Sequence, residues 1–191
     1  MAQLTLERAK EILKKHTTEP HLFTHATAVS AAMGAMARQF GADEEHWEAV
    51  GYLHDVDFER YPEEHCRHVR ELLADEEVDE ADIRAIISHG YSRCTDECEP
   101  RSDMEKSLYT VDELTGIVMT TALMRPTGIA DMEVKSVKKK FKDKKFAAKC
   151  SREVILEGCE MLGLDLDLVT QRTIEGMRAH MDELGIGPKE A

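Results

Sequence analysis

Aromatic residues make up only 5% of this 191-residue chain, with a single tryptophan among them. Strands draw on aromatic and β-branched residues, so this scarcity argues against a sandwich or barrel. No apolar run approaches the ~18 residues a membrane-crossing helix needs, so no membrane partner is expected. Positive charge is in deficit. The net charge is −13 and the pI about 5.1. That balance repels phosphate backbones and argues against polymeric nucleic acid as a partner. The stretch from Met1 to Lys15 is charged and amphipathic, without an apolar signal core. Together with an odd number of cysteines, five, this predicts a reduced, cytoplasmic setting. Cys94 and Cys98 form a C-x3-C pair, but no second pair is spaced to complete a zinc clip.

Good helix formers are plentiful, with Ala, Leu, Met, Glu and Lys prominent. Apolar residues recur at helical spacing almost throughout. The expectation is an all-α fold: one domain over residues 1–191, a bundle of about eight or nine helices. Thr5 or a neighbour starts a helix through about Lys15. Pro20 opens a long one ending near Gly41, and Asp43 caps a third carrying Trp47, Val50 and Leu53. Pro62 opens a fourth with Val69, Leu72 and Leu73, and Asp79 caps a fifth. A loop covers Gly90 to Pro100. Ser102 or Asp103 then begins a long helix through about Met124, completing a core over about 20–124. A basic helical island spans 131–149, with eight lysines against three acids. Two helices follow, about 151–162 and 165–184, before a frayed end from Gly185 to Ala191.

The informative residues are polar groups where the pattern asks for apolar ones. His25 lies on the stripe of Leu22, Val29 and Ala32, and His54 continues that of Trp47, Val50 and Gly51. His65 precedes Val69 by one turn, and His89 follows Ala85 and Ile86. Asp112 stands one turn after Leu108 and one before Gly116. A single histidine on an apolar face is ordinarily a satisfied core residue. A buried carboxylate needs a cation, a hydrogen-bond network or a raised pKa. Several such groups on different helices of one bundle share one core, which is how bundles build metal sites. His16, His21, His46, His68 and His180 read as surface or supporting residues, with His68 a competitor for the place of His65.

The ordered set His25, His54-Asp55 and Asp112 resembles the H…HD…D pattern of the HD superfamily of metal-dependent phosphohydrolases. Leu53 to Asp57 is similar to that family's LLHDIG segment, with Val56 for Ile and Asp57 for Gly. His65 to Leu73 resembles its HPxxGAExL stretch, Ala85 to Gly90 its AIxxHH, and Val111 to Gly116 its closing ADxLxG. Arg125-Pro126 followed by Val134 to Lys140 is similar to a group of small stand-alone HD proteins.

The resemblance implies an HD-type helical bundle in which His25, His54, Asp55 and Asp112 ligate one metal. In two-metal members Asp55 would bridge, and His65 and His89 would bind the second ion. Mixed imidazole and carboxylate suit Mn, Fe, Co, Ni or Zn, one or two ions per chain. The reaction expected is hydrolysis of a phosphate ester of a nucleotide or other small metabolite by metal-activated water. Asp55 would act at the metal, and Asp57 or Glu59 as general acid or base. Arg125, Lys135, Lys138 and Lys139 are the candidates for binding substrate phosphate. Tyr91, Trp47 or Phe58 could stack on a base. The alternatives are a two-iron HD-type oxygenase and a non-catalytic metal- or ligand-binding signalling module.

Overall fold

The computed structural model describes residues 3–189. Among these the fold is all-α, and the one β feature is an isolated bridge between Tyr91 and Thr95. The helices are α1 (Leu6–His16), α2 (Pro20–Phe40), α3 (Glu44–Leu53), α4 (Val69–Leu73) and α5 (Glu80–Ser88). They continue as α6 (Asp103–Leu123), α7 (Val134–Phe141), α8 (Arg152–Leu162), α9 (Leu166–Ala179) and α10 (Met181–Leu184). No described helix is long and apolar enough to cross a membrane.

Local chemistry starts most of these helices. Thr5, Asp43, Ser151 and Asp165 each accept a hydrogen bond from a backbone amide three residues on. Ser102 and Glu105 form a reciprocal capping box at the head of α6. Gly41 takes a left-handed conformation and ends α2.

Helix α2 is the axis of the fold. It packs on α1-bound α3, on α6 and on α9. From Ala28 to Ala37 every residue is buried, and half of them are alanine. A helix apolar all round belongs in an interior. Its small side chains let neighbours come close. A Cβ on Gly176 of α9 would stand 2.2 Å from the Ala31 carbonyl oxygen, and one on Gly51 of α3 would meet Met33 at 2.8 Å. These close crossings fix α2 against α9 and against the end of α3.

Four expectations are corrected. The helix expected from Pro62 is a 3-10 turn, Pro62–Glu64, then a break, then α4. Cys66 in the break has a left-handed φ of 69°, which no continuous helix accommodates. The last long helix is interrupted at His180, which separates α9 from α10. The described part of the end is not frayed. Ile186 is buried, its carbonyl accepts from the Ile129 amide at 2.8 Å, and the Lys189 amide donates to the Pro126 carbonyl at 2.9 Å. Glu190 and Ala191 lie outside the described residues. The basic island is helical only over α7. Its remainder is a series of turns held by Arg152, whose guanidinium donates to the carbonyls of Phe141, Asp143, Ala147 and Cys150.

Candidate metal centre

Five segments meet at one point. Helix α2 brings His25 from its second turn, and α6 brings Asp112 from its middle. Helices α3 and α5 end just before His54-Asp55 and His89. The turn after Pro62–Glu64 supplies His65. At a helix end the backbone relaxes, so adjacent His54 and Asp55 both turn inward.

The donor atoms crowd together. His25 Nε2 lies 3.1 Å from His54 Nε2, 3.0 Å from Asp112 Oδ1 and 3.4 Å from Asp55 Oδ2. His54 Nε2 lies 3.3 Å from Asp55 Oδ1 and 3.2 Å from Asp112 Oδ1. Asp55 Oδ1 also stands 3.2 Å from His65 Nε2 and 3.4 Å from His89 Nε2, and those two nitrogens are 3.0 Å apart. Asp55 thus faces both halves of the cluster.

Tautomers follow from the outer partners. His54 Nδ1 donates to the Gly51 carbonyl at 2.6 Å, and His89 Nδ1 to that of Ile86. A carbonyl only accepts, so each Nδ1 carries a proton. His65 Nδ1 donates to Asp57 Oδ1 at 2.8 Å. In neutral rings each Nε2 is then a lone pair aimed into the cluster, the orientation a metal-ligating histidine needs. Two facing lone pairs 3 Å apart require positive charge between them, as a proton or an ion.

In the metal-free protein protons do that work. Burial opposes charging His54, which is fully enclosed, but Asp55 and Asp112 outweigh it and hold its pKa well above 6.5. Burial likewise opposes charging His65, and its hydrogen bonds to Asp55 and Asp57 lift it to about 10. Burial resists ionisation of Asp55 and Asp112 as well. The charge of His54 and the hydrogen bonds from the surrounding imidazoles still hold both well below the ordinary carboxylate value.

The donor set fits a divalent metal. Metal–ligand bonds of about 2.0–2.2 Å in tetrahedral or octahedral arrangement separate neighbouring donors by roughly 2.8–3.6 Å. The distances above cover 3.0 to 3.4 Å. Groups of His, Cys and Asp able to hold an ion include His25-His54-Asp55 and His65-Cys66-His89.

All six residues named as ligands from the sequence are brought together. The other assignments change. Asp57 is fully buried, with Oδ1 on His65 and Oδ2 accepting from the His68 amide at 3.2 Å, so it positions His65. Glu59 is not at the cluster. Its carboxylate accepts from the Thr18 amide and hydroxyl, both at 2.6 Å, and ties down the entry to α2. His68 turns away, stacked on Tyr61 at 3.8 Å and paired with Glu71, which leaves the place to His65. Arg125 is occupied by Asp131 and the Gly128 carbonyl, Lys138 by Asp167 and Lys135 by Glu133. Lys139 is exposed on α7. Trp47 is buried against Phe40 and offers no face to a base, whereas exposed Phe58 sets its ring edge-on to His65 at 5.2 Å. Cys94 and Cys98 belong to no ligand group among the described residues.

Sequence reasoning missed Cys66. Its thiol is buried 3.8 Å from His89 Nε2. Beside it a polar cleft of about 270 Å³ is lined by Arg67, Ser92, Arg93, Cys94, Thr95 and Asp96. Both arginines flank the clustered segments, Arg67 two residues after His65 and Arg93 four after His89, and Arg93 forms an ion pair with Glu113. Comparison with protein-family models, with curated proteins and with solved structures finds no match to this chain.

Proposed function

We propose that this protein is a metal-dependent phosphohydrolase of the HD type, acting on a phosphate ester of a nucleotide or other small metabolite. One observation carries the reading. Four imidazole Nε2 atoms and two carboxylates from five segments stand at metal-ligand spacing, and three of the rings have Nδ1 tied outward. His25, His54, Asp55 and Asp112 would hold one ion, and Asp55, His65 and His89 a second. Divalent ions held so would supply an activated water and a Lewis acid toward a phosphoryl oxygen.

The chain's own residues supply the rest. Asp57 fixes the His65 tautomer, and the Gly51 and Ile86 carbonyls fix those of His54 and His89. Arg67 borders the cleft beside the centre and has no carboxylate partner there among the described residues, whereas Arg93 is paired with Glu113, so Arg67 is the cation open to an anion. The cleft is smaller than the ~300–1,000 Å³ of pockets for drug-sized ligands, which suits a small ester. The acidic balance of the chain argues the same way against a polymer.

The test pairs elemental analysis of protein purified without chelator with phosphate release from a panel of small esters. Wild type should carry one or two transition-metal ions and hydrolyse at least one ester. The double variant His54→Ala, Asp55→Ala should lose both. Arg67→Ala should raise KM while the bound metal stays. Bound metal with no phosphate release, together with substrate-dependent oxygen uptake by the iron form, would transfer the centre to oxidative chemistry.

A further inference from the structure

We propose that Cys66 is a thiolate ligand beside His65 and His89, an inference that rests on the metal-centre reading, so that the two ion positions differ in chemistry.

Three independent features place the sulfur there. Cys66 Sγ lies 3.8 Å from His89 Nε2, and the ligand atoms of His65, Cys66 and His89 all fall within 4.8 Å of one another. A Zn–S bond of about 2.3 Å and a Zn–N bond of about 2.0–2.1 Å at a tetrahedral angle set sulfur and nitrogen roughly 3.6 Å apart. Next, Cys66 is 1% exposed and takes a positive φ of 69°, a conformation that side chains other than glycine's seldom adopt. The chain accepts that backbone strain where it points a thiol at two imidazoles. Finally, the residue after His89 is Gly90, and a Cβ there would stand 2.5 Å from Cys66 Sγ. The glycine leaves room for the sulfur.

Binding breaks the Cys66 S–H bond and forms a sulfur–metal bond. The proton leaves to solvent, as it does whenever a thiol becomes a metal ligand. The consequence is an asymmetric centre. The position of His25, His54, Asp55 and Asp112 offers only nitrogen and oxygen, whereas the Cys66 position adds a soft donor. That donor favours Zn, Co or Fe over Mn and Mg.

The probe is Co2+ added to metal-free, full-length protein under reducing, anaerobic conditions. A thiolate-to-cobalt charge-transfer band in the near ultraviolet is expected in wild type and in Cys94→Ser, and its loss in Cys66→Ser. Cobalt bound without that band overturns the thiolate ligand and leaves the metal centre standing. No cobalt bound overturns both. A band that survives Cys66→Ser but vanishes in Cys94→Ser also overturns it. Should Cys66→Ser fail to fold, X-ray absorption on the zinc-loaded wild type decides. A sulfur scatterer at about 2.3 Å supports the assignment, and a shell of nitrogen and oxygen alone overturns it.

Discussion

Filling the centre must expel protons, and the structure sets their number. In the metal-free protein His54 is held well above its ordinary pKa, and His65 is lifted to about 10. At pH 7.5 both rings carry a second proton, on the Nε2 that a metal must use. Ligands bind only when deprotonated, so loading two ions should release about two protons per chain. A Cys66 thiolate ligand would add its own proton, so the two ring protons set the minimum. The sign follows: lower pH favours the charged rings, so metal affinity falls as pH falls. For two protons the combined affinity for both ions should drop by roughly a hundredfold per pH unit between pH 8 and 7. Calorimetric titration of Mn2+ or Zn2+ in two buffers of different ionisation enthalpy gives the proton count directly. Two ions bound with no proton released would refute the reasoning, because the facing imidazoles would then be neutral without a cation.

Asp57→Asn removes the carboxylate that fixes His65 but no ligand, so affinity for the second ion should fall about 10–100-fold while the first remains; equal loss of both would refute the division of the centre. Gly176→Ala places a methyl 2.2 Å from the Ala31 carbonyl and should destabilise the protein by about 1–3 kcal/mol in urea unfolding. Alanine at Gly163, which has open space but a φ of 65°, should cost about 1 kcal/mol, and equal stability of both variants with wild type would refute the close-crossing argument. His46 donates to buried Asp82 at 2.7 Å, and this bond raises its pKa above 6.5. That pair therefore stabilises the fold fully below the unfolded value of 6.5, and the contribution is lost as pH rises through the raised folded value. Proton NMR titration should find His46 above 6.5 in wild type and lower in Asp82→Asn.

Helix starts were legible because their signals are local. Thr5, Asp43, Ser102 and Asp165 cap amides within three residues of themselves. The break after Glu64 was not, because no glycine or proline marks it. Its causes lie elsewhere in the chain: Asp57 takes the His68 amide, and the centre draws His65 and Cys66 inward. The tail was misread for a similar reason, since Ile186 finds its partner at Ile129, far away in sequence. Five of the six clustered imidazoles and carboxylates were legible as polar interruptions of apolar stripes, and Asp55 as the neighbour of His54. Cys66 was not, because a buried cysteine reads as a small core hydrophobe. Asp57 and Glu59 were placed by nearness to the HD pair, but their occupations depend on His65 and Thr18, whose positions only the fold supplies.

The ligands are scattered along the chain from His25 to Asp112, and every one sits on a different segment except the adjacent His54 and Asp55. Two ions sharing Asp55, held as proposed, would therefore act together as a clasp. It ties α2, α3, α5, α6 and the turn after Glu64 into closed loops, much as a set of cross-links would. None of those segments can leave without surrendering a ligand, so bound metal weights the native state against the open one. Proteases in a cell act on the open population. A protein built this way would have its lifetime set by metal supply: long when the clasp is shut, short when the ion is withheld.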